Sequence, residues 1–468
     1  MSLIIPANTL ASGGYEVANS VRFNDGSSDY LIRNEVDPQV SNTKATFSFW
    51  VKRSNLSSNQ DIYNHYNSTS EDFRIFFTSS DKFRFTNNVS GSSTHNFSTN
   101  QVFRDVSAWY NFIIAFDTTQ STESNRVKMW VNGIQTTSWS SSSYPSQNAN
   151  LGLDGGNGYS DNIGRRGNNS NYFDGYLAEF VKINNTALDE TSFGEFDSDS
   201  NIWKPIDVSG LTFGTKGAYL DFENSGALGN DAAGSNNFTV NNLTAIDQTT
   251  DTCTNNFATL NPLTNSEMTF SEGNTKTVRG GTNGQFATST FEMNKGKWYF
   301  ESKLLNYSGN SRPTIGLSQS HKSFASVLAG ASNNRVYYLL ESSTYQSNNA
   351  TGITVNTSPA TNDIYMWSID LDNLKFYIGK NGTWYHSSNP STGSNGLAIQ
   401  VADYYSVSTG PNDDGSDTSR NNEWFFNFGN PAFAISSSNA DGNGYGNFEY
   451  AVPSGFFSYN SKNLSEYG

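Results

Sequence analysis

The fold class is indicated by residues 362–384, NDIYMWSIDLDNLKFYIGKNGTW. Within this stretch, apolar side chains at positions 374, 376 and 378 alternate with Lys375 and Tyr377. A period of two is typical of a half-buried β-strand. The Leu-Asp-Asn triplet at 371–373 lies where the chain must reverse, since Asx residues tolerate turn geometry. The stretch therefore predicts a β-hairpin.

A second segment of the same kind, RVKMWVNGIQTTSW, occupies residues 126–139. Apolar residues recur at 127, 129 and 131, and Asn132-Gly133 is the strongest type of short-range hairpin signal. Each half of the chain is thus expected to be built around one hairpin. We predict an all-β protein of two antiparallel β-sandwiches joined by an irregular connector.

The composition is polar but rich in rings. The 468 residues are too many for one sandwich and suit two or three domains. Aromatic residues make up 14% of the chain, and their large buried areas can fill cores that contain few aliphatic residues. Charged residues make up only 15%, and Ser, Thr, Asn and Gly replace them, which suits short strands joined by many turns.

Charge and cysteine content exclude several classes of protein. A net charge of −15 without a basic cluster argues against nucleic-acid binding. The single cysteine, Cys253, excludes an internal disulfide framework and a cysteine-based zinc site. No apolar run approaches the ~20 residues of a membrane span, so no membrane insertion is expected. The N-terminus lacks the basic start of a secretory signal.

Strand and turn signals recur at regular spacing in residues 15–204 and again in residues 276–468, as in β-sandwiches. The intervening residues 205–275 are rich in Asn, Thr, Gly and Asp, with isolated aromatic residues. A stretch of this length is too long for a bare loop in a compact protein. We expect it to be a connector that packs along both sandwiches.

Five motifs occur in order in the first half: VRFNDGSSDYL, FSFWVKR, WYNFIIAFD, VKMWVNG and FDGYLAEFVKINNTALDE. In this order they resemble the laminin-G and concanavalin-A-like lectin family. The matching positions are Trp109-Tyr110, Trp130 to Gly133, Gly175 to Glu179, and Ala187-Leu188. The resemblance covers about residues 15–195 and implies a jelly-roll sandwich of a kind that often binds glycans, sometimes through calcium.

In the second half, the ordered set GKWYFE, TIGLS, DIYMWSIDLDNLKFYIGKNG, FFNFG and PSGF spans most of residues 285–457. This set resembles the SPRY/B30.2 domain. The resemblance implies another bent two-sheet sandwich, which recognises peptides or proteins through its loops. The chain departs from the family in a long insert between Tyr385 and Glu423.

The two ends of the chain, LIIPANT with GGY and SVRFN, and GNFEYAVPSGFFSYNSKNL, resemble proteins of marine tailed phages. The resemblance implies a virion surface protein, such as an adhesin or short fibre subunit that contacts host surface glycans. The alternative is a purely structural capsid decoration or tail accessory protein that binds neighbouring virion proteins. No extended repetitive shaft is present, which favours a compact decoration or short-appendage subunit.

Catalysis is not expected. Glucanases with a concanavalin-like fold need two carboxylates at strand spacing, as in E-x-D-x-x-E, and the chain lacks that triplet. Asp174 and Glu179 are five positions apart, so on an unbroken strand they face opposite sides. Glu179 is therefore interpreted as structural, and the protein as non-enzymatic, because a fold by itself does not confer activity.

Two loops contain oxygen ligands suited to calcium. Asn439, Asp441 and Asn443 resemble the start of a calcium loop, but its twelfth position is Tyr450 rather than Glu. A glycine-rich turn is the favoured reading. The acidic stretch at residues 412–417 is read as a solvated loop tip. We therefore expect no cofactor, with calcium as the one alternative.

Aromatic residues in turn-rich segments are the better binding candidates, because rings stack on sugar faces and anchor protein interfaces. The alternative is that these rings pack loops onto the sandwiches. One group is assigned to a single loop, and the other lies in or beside the long insert. The candidates are Tyr63, His65, Tyr66, Trp384, Tyr385, Tyr404 and Tyr405.

The first 14 residues include Leu3, Ile4 and Ile5, which have no obvious place in the sandwich pattern. An exposed apolar terminus is a liability unless it docks, and Pro6 favours extended backbone just before it. The segment is either an anchoring arm that holds a virion partner or a symmetry mate, or the first edge strand of its own sandwich. By analogy with phage appendages, a homo-oligomer, most simply a trimer, would raise avidity.

Overall fold

The computed structural model describes residues 14–35, 42–153, 156, 158–264, 268–279, 286–307, 313–319, 335–339, 344–347, 359–399, 401–411 and 422–468. The predicted arm residues Leu3, Ile4 and Ile5 lie outside these ranges, as does the acidic stretch at 412–417. Within the described residues, no helix is both long and apolar enough to cross a membrane.

The chain divides into two compact units, the first ending at Thr254 and the second beginning at Asn255. The predicted connector, residues 205–275, is therefore shared between them rather than forming a segment of its own. Short strands account for most of the regular structure in both units. The predicted all-β fold class is confirmed.

The strands of the first unit are β1 (Ser20–Phe23), β2 (Tyr30–Asn34), β3 (Lys44–Arg53), β4 (Gln60–Ser68), β5 (Glu71–Phe77), β6 (Lys82–Val89), β7 (Ser92–Val102), β8 (Trp109–Asp117), β9 (Val127–Val131), β10 (Ile134–Gln135), β11 (Trp139–Ser143), β12 (Ser160–Ile163), β13 (Gly175–Asn184), β14 (Gly194–Phe196), β15 (Trp203–Pro205), β16 (Ala218–Leu220), β17 (Thr239–Asn241) and β18 (Gln248–Thr249).

Two eight-stranded sheets face each other in this unit. The first sheet has the order β10-β9-β8-β3-β13-β1-β18, with β16 paired to β13. The second sheet has the order β11-β7-β6-β5-β4-β12-β2-β17. Neighbouring strands are antiparallel in both sheets. Strands β14 and β15 form a separate two-stranded ribbon.

The hairpin predicted at Asn132-Gly133 is confirmed. Strand β9 pairs with β10 so that Val131 lies opposite Ile134. Both turn residues are left-handed, with φ angles of 48° and 73°, as a two-residue type I′ turn requires. A Cβ atom at Gly133 would lie 2.2 Å from the Trp203 ring, so the turn needs glycine for its space as well as its conformation.

The period of two sorts side chains between two layers. In β3, Phe47, Phe49 and Val51 point into the core between the sheets, whereas Trp50 points to the outer face of the first sheet. That outer face is covered, because a later part of the chain packs Trp203, Val208, Phe213 and Cys253 onto it. The first sheet is consequently buried on both sides.

Residues that the sequence assigned to a connector complete the core of the first unit. Six apolar side chains from this stretch lie in the core between the two sheets. They are Ala218, Leu220, Phe222, Leu228, Phe238 and Leu243.

The strands of the second unit are β19 (Leu260–Asn261), β20 (Met268–Ser271), β21 (Lys276–Arg279), β22 (Ala287–Ser289), β23 (Lys297–Tyr307), β24 (Pro313–Gln319), β25 (Arg335–Leu339), β26 (Thr344–Ser347), β27 (Ile364–Asp370), β28 (Lys375–Lys380), β29 (Thr383–Trp384), β30 (Leu397–Ala398), β31 (Tyr405–Pro411), β32 (Asn422–Asn427) and β33 (Phe457–Ser458).

These strands also form two sheets around an aromatic core. The smaller has the order β19-β22-β31-β24-β25-β26, and the larger has the order β20-β21-β32-β23-β27-β28-β29, with β30 and β33 attached. The β23–β33 pair is parallel. Trp298, Trp367 and Trp424 lie in the core. The described residues include one α-helix, α1 (Ser461–Tyr467), which Asn460 caps by accepting a hydrogen bond from the Asn463 N–H.

Residues 362–384 contain the predicted hairpin, with Asp370 opposite Lys375. The expectation that β28 is only half buried was wrong. Tyr377, on the outer face, is 1% exposed, because Phe448 and Phe456 from the C-terminal part of the chain cover it. The residue that holds this cover is Glu301, whose carboxylate accepts bonds from two backbone N–H groups of the cover, at residues 449 and 450.

Candidate functional site

The second sheet of the first unit carries a polar groove on its outer face. The groove has a volume of about 600 Å³. It is lined by Asn59, Arg74, Phe76, Thr78, Ser79, Ser80, Lys82, Arg84, Asn96, Ser98, Ser140 and Ser141. We refer to this set as the β5–β11 groove.

Strand periodicity places these side chains on one face. In β5, Phe73, Ile75 and Phe77 point into the core, so Arg74 and Phe76 point outward. The same alternation acts in β6 and β7, where core phenylalanines at 83, 85 and 97 alternate with outward polar residues. The floor of the groove is therefore the polar face of a sheet whose other face is aromatic.

Strand register aligns the groove residues in a row. Phe76 pairs with Arg84, Arg84 with Ser98, and Ser98 with Ser141. The row crosses four strands, so it spans roughly 14 Å at the usual spacing between neighbouring strands. In this row, the cation Arg84 lies between the Phe76 ring on one side and the hydroxyl groups of Ser98 and Ser141 on the other.

Arg74 is fixed in place by Asp61. Its Nε and Nη2 atoms each donate to the Asp61 carboxylate at 2.7 Å, which is the bidentate geometry of a strong ion pair. The Arg74 guanidinium also lies 3.9 Å from the centroid of the Phe76 ring. Phe76 is 4% exposed, so it packs beneath the arginines rather than offering a free face for stacking.

Arg84 differs from Arg74 in having no anionic partner among the residues that the structure describes. Its Nε donates to Asn96 Oδ1 at 3.0 Å, and its guanidinium lies 5.8 Å from the Phe76 ring. In the described part of the chain, no carboxylate forms an ion pair with Arg84 or Lys82. Partial burial, and then the nearby charge of Arg74, lower the pKa of Arg84. The arrangement is suited to receiving an anion.

The assignment of Tyr63, His65 and Tyr66 to a loop was wrong. All three lie in strand β4. The Tyr63 hydroxyl donates to Asp161 Oδ1 at 2.5 Å, and His65 Nδ1 lies 2.7 Å from the same oxygen. Both side chains are buried, because they help to satisfy a carboxylate that has no access to water.

Asp161 is the centre of this buried network. Arg33 Nη2 and Lys182 Nζ approach its Oδ2 at 2.6 and 3.0 Å. Burial acts to raise the pKa of Asp161, but Lys182 and then Arg33 outweigh it and hold that pKa well below its ordinary value. The network ties β12 of the second sheet to β13 of the first, which gives it a structural role.

The remaining aromatic candidates are mostly packed. The Tyr66 ring lies against Gly167, where an added Cβ would approach it to 2.5 Å. Trp384 and Tyr385 are half-buried against the second unit. Tyr405 is 2% exposed in β31, whereas Tyr404 is 48% exposed. Of the seven candidates, Tyr404 is thus the one that presents an exposed ring, and its binding role stays a prediction.

The Asn439, Asp441 and Asn443 segment is organised as a turn. Asp441 Oδ1 accepts the N–H groups of Asn443 and Tyr445, and Oδ2 accepts from the Ser458 N–H at 2.8 Å. Protein donors thus occupy both carboxylate oxygens. Throughout the described ranges, no group of three or more His, Cys, Asp or Glu side chains is arranged to hold a metal.

Glu179 lies at an irregularity of β13, where the pairing with β3 shifts between Ala178 and Val181. Its φ angle is 49°, and its carboxylate accepts a hydrogen bond from the Tyr219 hydroxyl at 2.8 Å. Because this bulge interrupts the period of two, the inference that Asp174 and Glu179 face opposite sides does not hold. Burial is the main cause that raises the pKa of Glu179 to about 8.

Part of the chain matches a known protein family. Residues 25–192 match the Concanavalin A-like lectin/glucanases superfamily. This segment is similar to a concanavalin A-like lectin domain. It contains strands β2 to β13 and every residue of the β5–β11 groove. The lectin-like fold supports a glycan-binding role in general.

Several solved structures are similar to the chain. The SPRY domain of human HERC1 shares 14% identity, with a TM-score of 0.27, over 36% of this chain and 96% of that one. A SAP-like pentraxin from Limulus polyphemus shares 14% identity, with a TM-score of 0.28, over 37% and 80%. Domains LG4-5 of the mouse laminin alpha1 chain share 11% identity, with a TM-score of 0.29, over 95% and 98%. No curated protein matches the chain.

The sequence contains a local signal for the cations of the groove. In both DFRIFF and KFRF an arginine stands between two core side chains, which are Phe73 and Ile75 around Arg74, and phenylalanines at 83 and 85 around Arg84. Such alternation places Arg74 and Arg84 together on the outer face. The pattern does not indicate that Asp61 neutralises one arginine and leaves the other free, since that depends on the pairing of β4 with β5.

Proposed function

We propose that the chain is a phage virion surface protein, an adhesin or short fibre subunit, whose lectin domain binds glycans of the host surface. The observation that carries the glycan-binding part is an open polar groove on a lectin-like sandwich. The resemblance of both chain ends to marine tailed-phage proteins supports the virion location.

The binding mode is non-catalytic in this proposal. Glu179 is 6% exposed beneath the cover of the first sheet, where a sugar ring has no access to it. The groove itself is lined by amides, hydroxyls and cations, and no carboxylate is among its lining residues. These groups can hydrogen-bond sugar hydroxyls, but they do not supply the pair of carboxyl groups that glycoside hydrolysis requires.

Affinity per site is expected to be weak, in the millimolar range, because an open groove buries little of a ligand. A homo-oligomer, as a trimer, would present several such grooves and gain avidity. Other virion proteins are the proposed partners of the rest of the chain.

Two measurements test the proposal. Antibodies raised against the recombinant chain should label purified particles of the phage that encodes it. Host surface polysaccharide should bind the assembled protein in titration calorimetry and on a glycan array. Labelled particles without any glycan binding would favour the purely structural alternative, and unlabelled particles would refute the virion assignment.

A further inference from the structure

The groove also indicates the chemical class of its ligand. The chain as a whole carries a net charge of −15, yet three cationic side chains, Arg74, Lys82 and Arg84, line one groove. Asp61 neutralises Arg74 alone. The groove therefore keeps a local positive charge on an acidic protein, and an anionic ligand is the complementary occupant.

We propose that the β5–β11 groove binds an acidic glycan, with Arg84 as the residue that pairs with its carboxylate or sulfate group. This inference rests on the glycan-binding function proposed above and specifies its ligand class. The planar guanidinium suits both anions, because two parallel N–H groups can face two oxygens.

The surroundings of Arg84 orient it for this role. Its Nε is held by Asn96 Oδ1 and its plane lies near Phe76, which leaves both terminal nitrogens for a ligand. A bound anion would offset two effects that disfavour the charged guanidinium, namely its partial burial and its repulsion by Arg74.

The other lining groups favour a glycan over a nucleic acid. Five serines and two asparagines line the groove, and their hydroxyls and amides match the hydroxyl groups of a sugar chain. Nucleic-acid grooves rely on aromatic faces for base stacking, whereas the ring in this groove is 4% exposed and packed beneath arginines.

The test compares four polymers with the full-length protein by titration calorimetry at low salt. Alginate oligosaccharides carry carboxylates, dextran sulfate carries sulfates, dextran is neutral, and a single-stranded oligonucleotide is a non-glycan polyanion. We expect binding of alginate or dextran sulfate, and the one bound more tightly identifies the anion. That binding should weaken as sodium chloride is raised, whereas dextran should bind at least tenfold less well.

Variants locate the site. Arg84→Gln should raise the dissociation constant for the acidic glycan roughly tenfold or more, since a charge-assisted hydrogen bond is lost. Arg84→Lys should have a smaller effect, because it keeps the positive charge and loses only the planar pair of N–H donors. Lys128→Gln removes one charge from β9, outside the groove, and should leave binding unchanged. Lys82→Gln supplies a second groove variant if the Arg84 variants lower the unfolding temperature.

The outcomes separate this inference from the proposed function. Binding of dextran as tight as that of alginate, or acidic-glycan binding that ignores both Arg84→Gln and Lys82→Gln, overturns the acidic-glycan assignment and leaves glycan binding intact. Equal binding of the oligonucleotide overturns the assignment in favour of a general polyanion site. An absence of binding to every glycan refutes the proposed function and the inference together.

Discussion

The ion pair between Lys52 and Asp251 provides the sharpest test of the domain organisation. Lys52 lies in β3 of the first unit, whereas Asp251 lies in the stretch that the sequence assigned to a connector. Their Nζ and Oδ2 atoms are 2.9 Å apart, with both side chains 1% exposed or less. The Trp109 indole N–H donates to the other Asp251 oxygen at 3.1 Å.

Asp251→Ala would leave the ammonium of Lys52 buried without its nearest carboxylate. Breaking a buried pair from one side typically costs about 3–5 kcal/mol. For a unit of this size, that loss corresponds to a fall in melting temperature of roughly 6–20 °C. Burial already lowers the pKa of Lys52. The deficit in the free energy of unfolding should therefore shrink as rising pH allows Lys52 of the folded variant to lose that proton.

The assay is urea unfolding followed by tryptophan fluorescence, for the variant and two controls. Glu223→Ala removes an exposed charge from the same stretch and should have no measurable effect. The double variant Lys52→Met/Asp251→Ala removes both charges and should recover most of the lost stability. A single variant whose free energy of unfolding is within about 1 kcal/mol of the parent's would contradict the role of this ion pair in the fold of the first unit. A double variant as unstable as the single one would show that the unpaired charge is not the cause.

Three further outcomes are expected. The folded-state pKa of Glu179 is about 8, above its ordinary value of 4.5. Its contribution to the free energy of unfolding is therefore present below pH 4.5 and is lost as the pH rises through 8. Glu179→Gln should flatten that part of the pH profile measured by urea unfolding. Glu301→Ala should speed hydrogen exchange at amides 449–450 and lower the free energy of unfolding by about 2–4 kcal/mol. Unchanged exchange at these amides would contradict the role of Glu301 in holding the cover. A fragment of residues 14–254 should unfold cooperatively in thermal circular dichroism, whereas residues 15–204 should not, because they lack six core side chains.

Local sequence patterns were enough to predict the fold class and the hairpins at residues 126–139 and 362–384. Alternation along β9 and β28 and the Asn132-Gly133 turn are local patterns, and a strand needs only its own side chains to display them. Motif order was likewise sufficient to indicate a lectin-like first half, which the family match over residues 25–192 supports.

Which sheet faces are covered and which polar residues are buried depends on the packing of distant parts of the chain. The partners concerned are far apart in sequence: Lys52 and Asp251 are separated by 199 positions, and Glu301 and the backbone at 449 by 148. No local period encodes such pairs. Tyr63 and His65 were therefore assigned to a loop, although both are buried and contact Asp161, about 100 positions away. The groove emerges for the same reason. Asp61 in β4 forms its ion pair with Arg74, and no carboxylate in the described part of the chain forms one with Arg84. This difference depends on how β4, β5 and β6 pair.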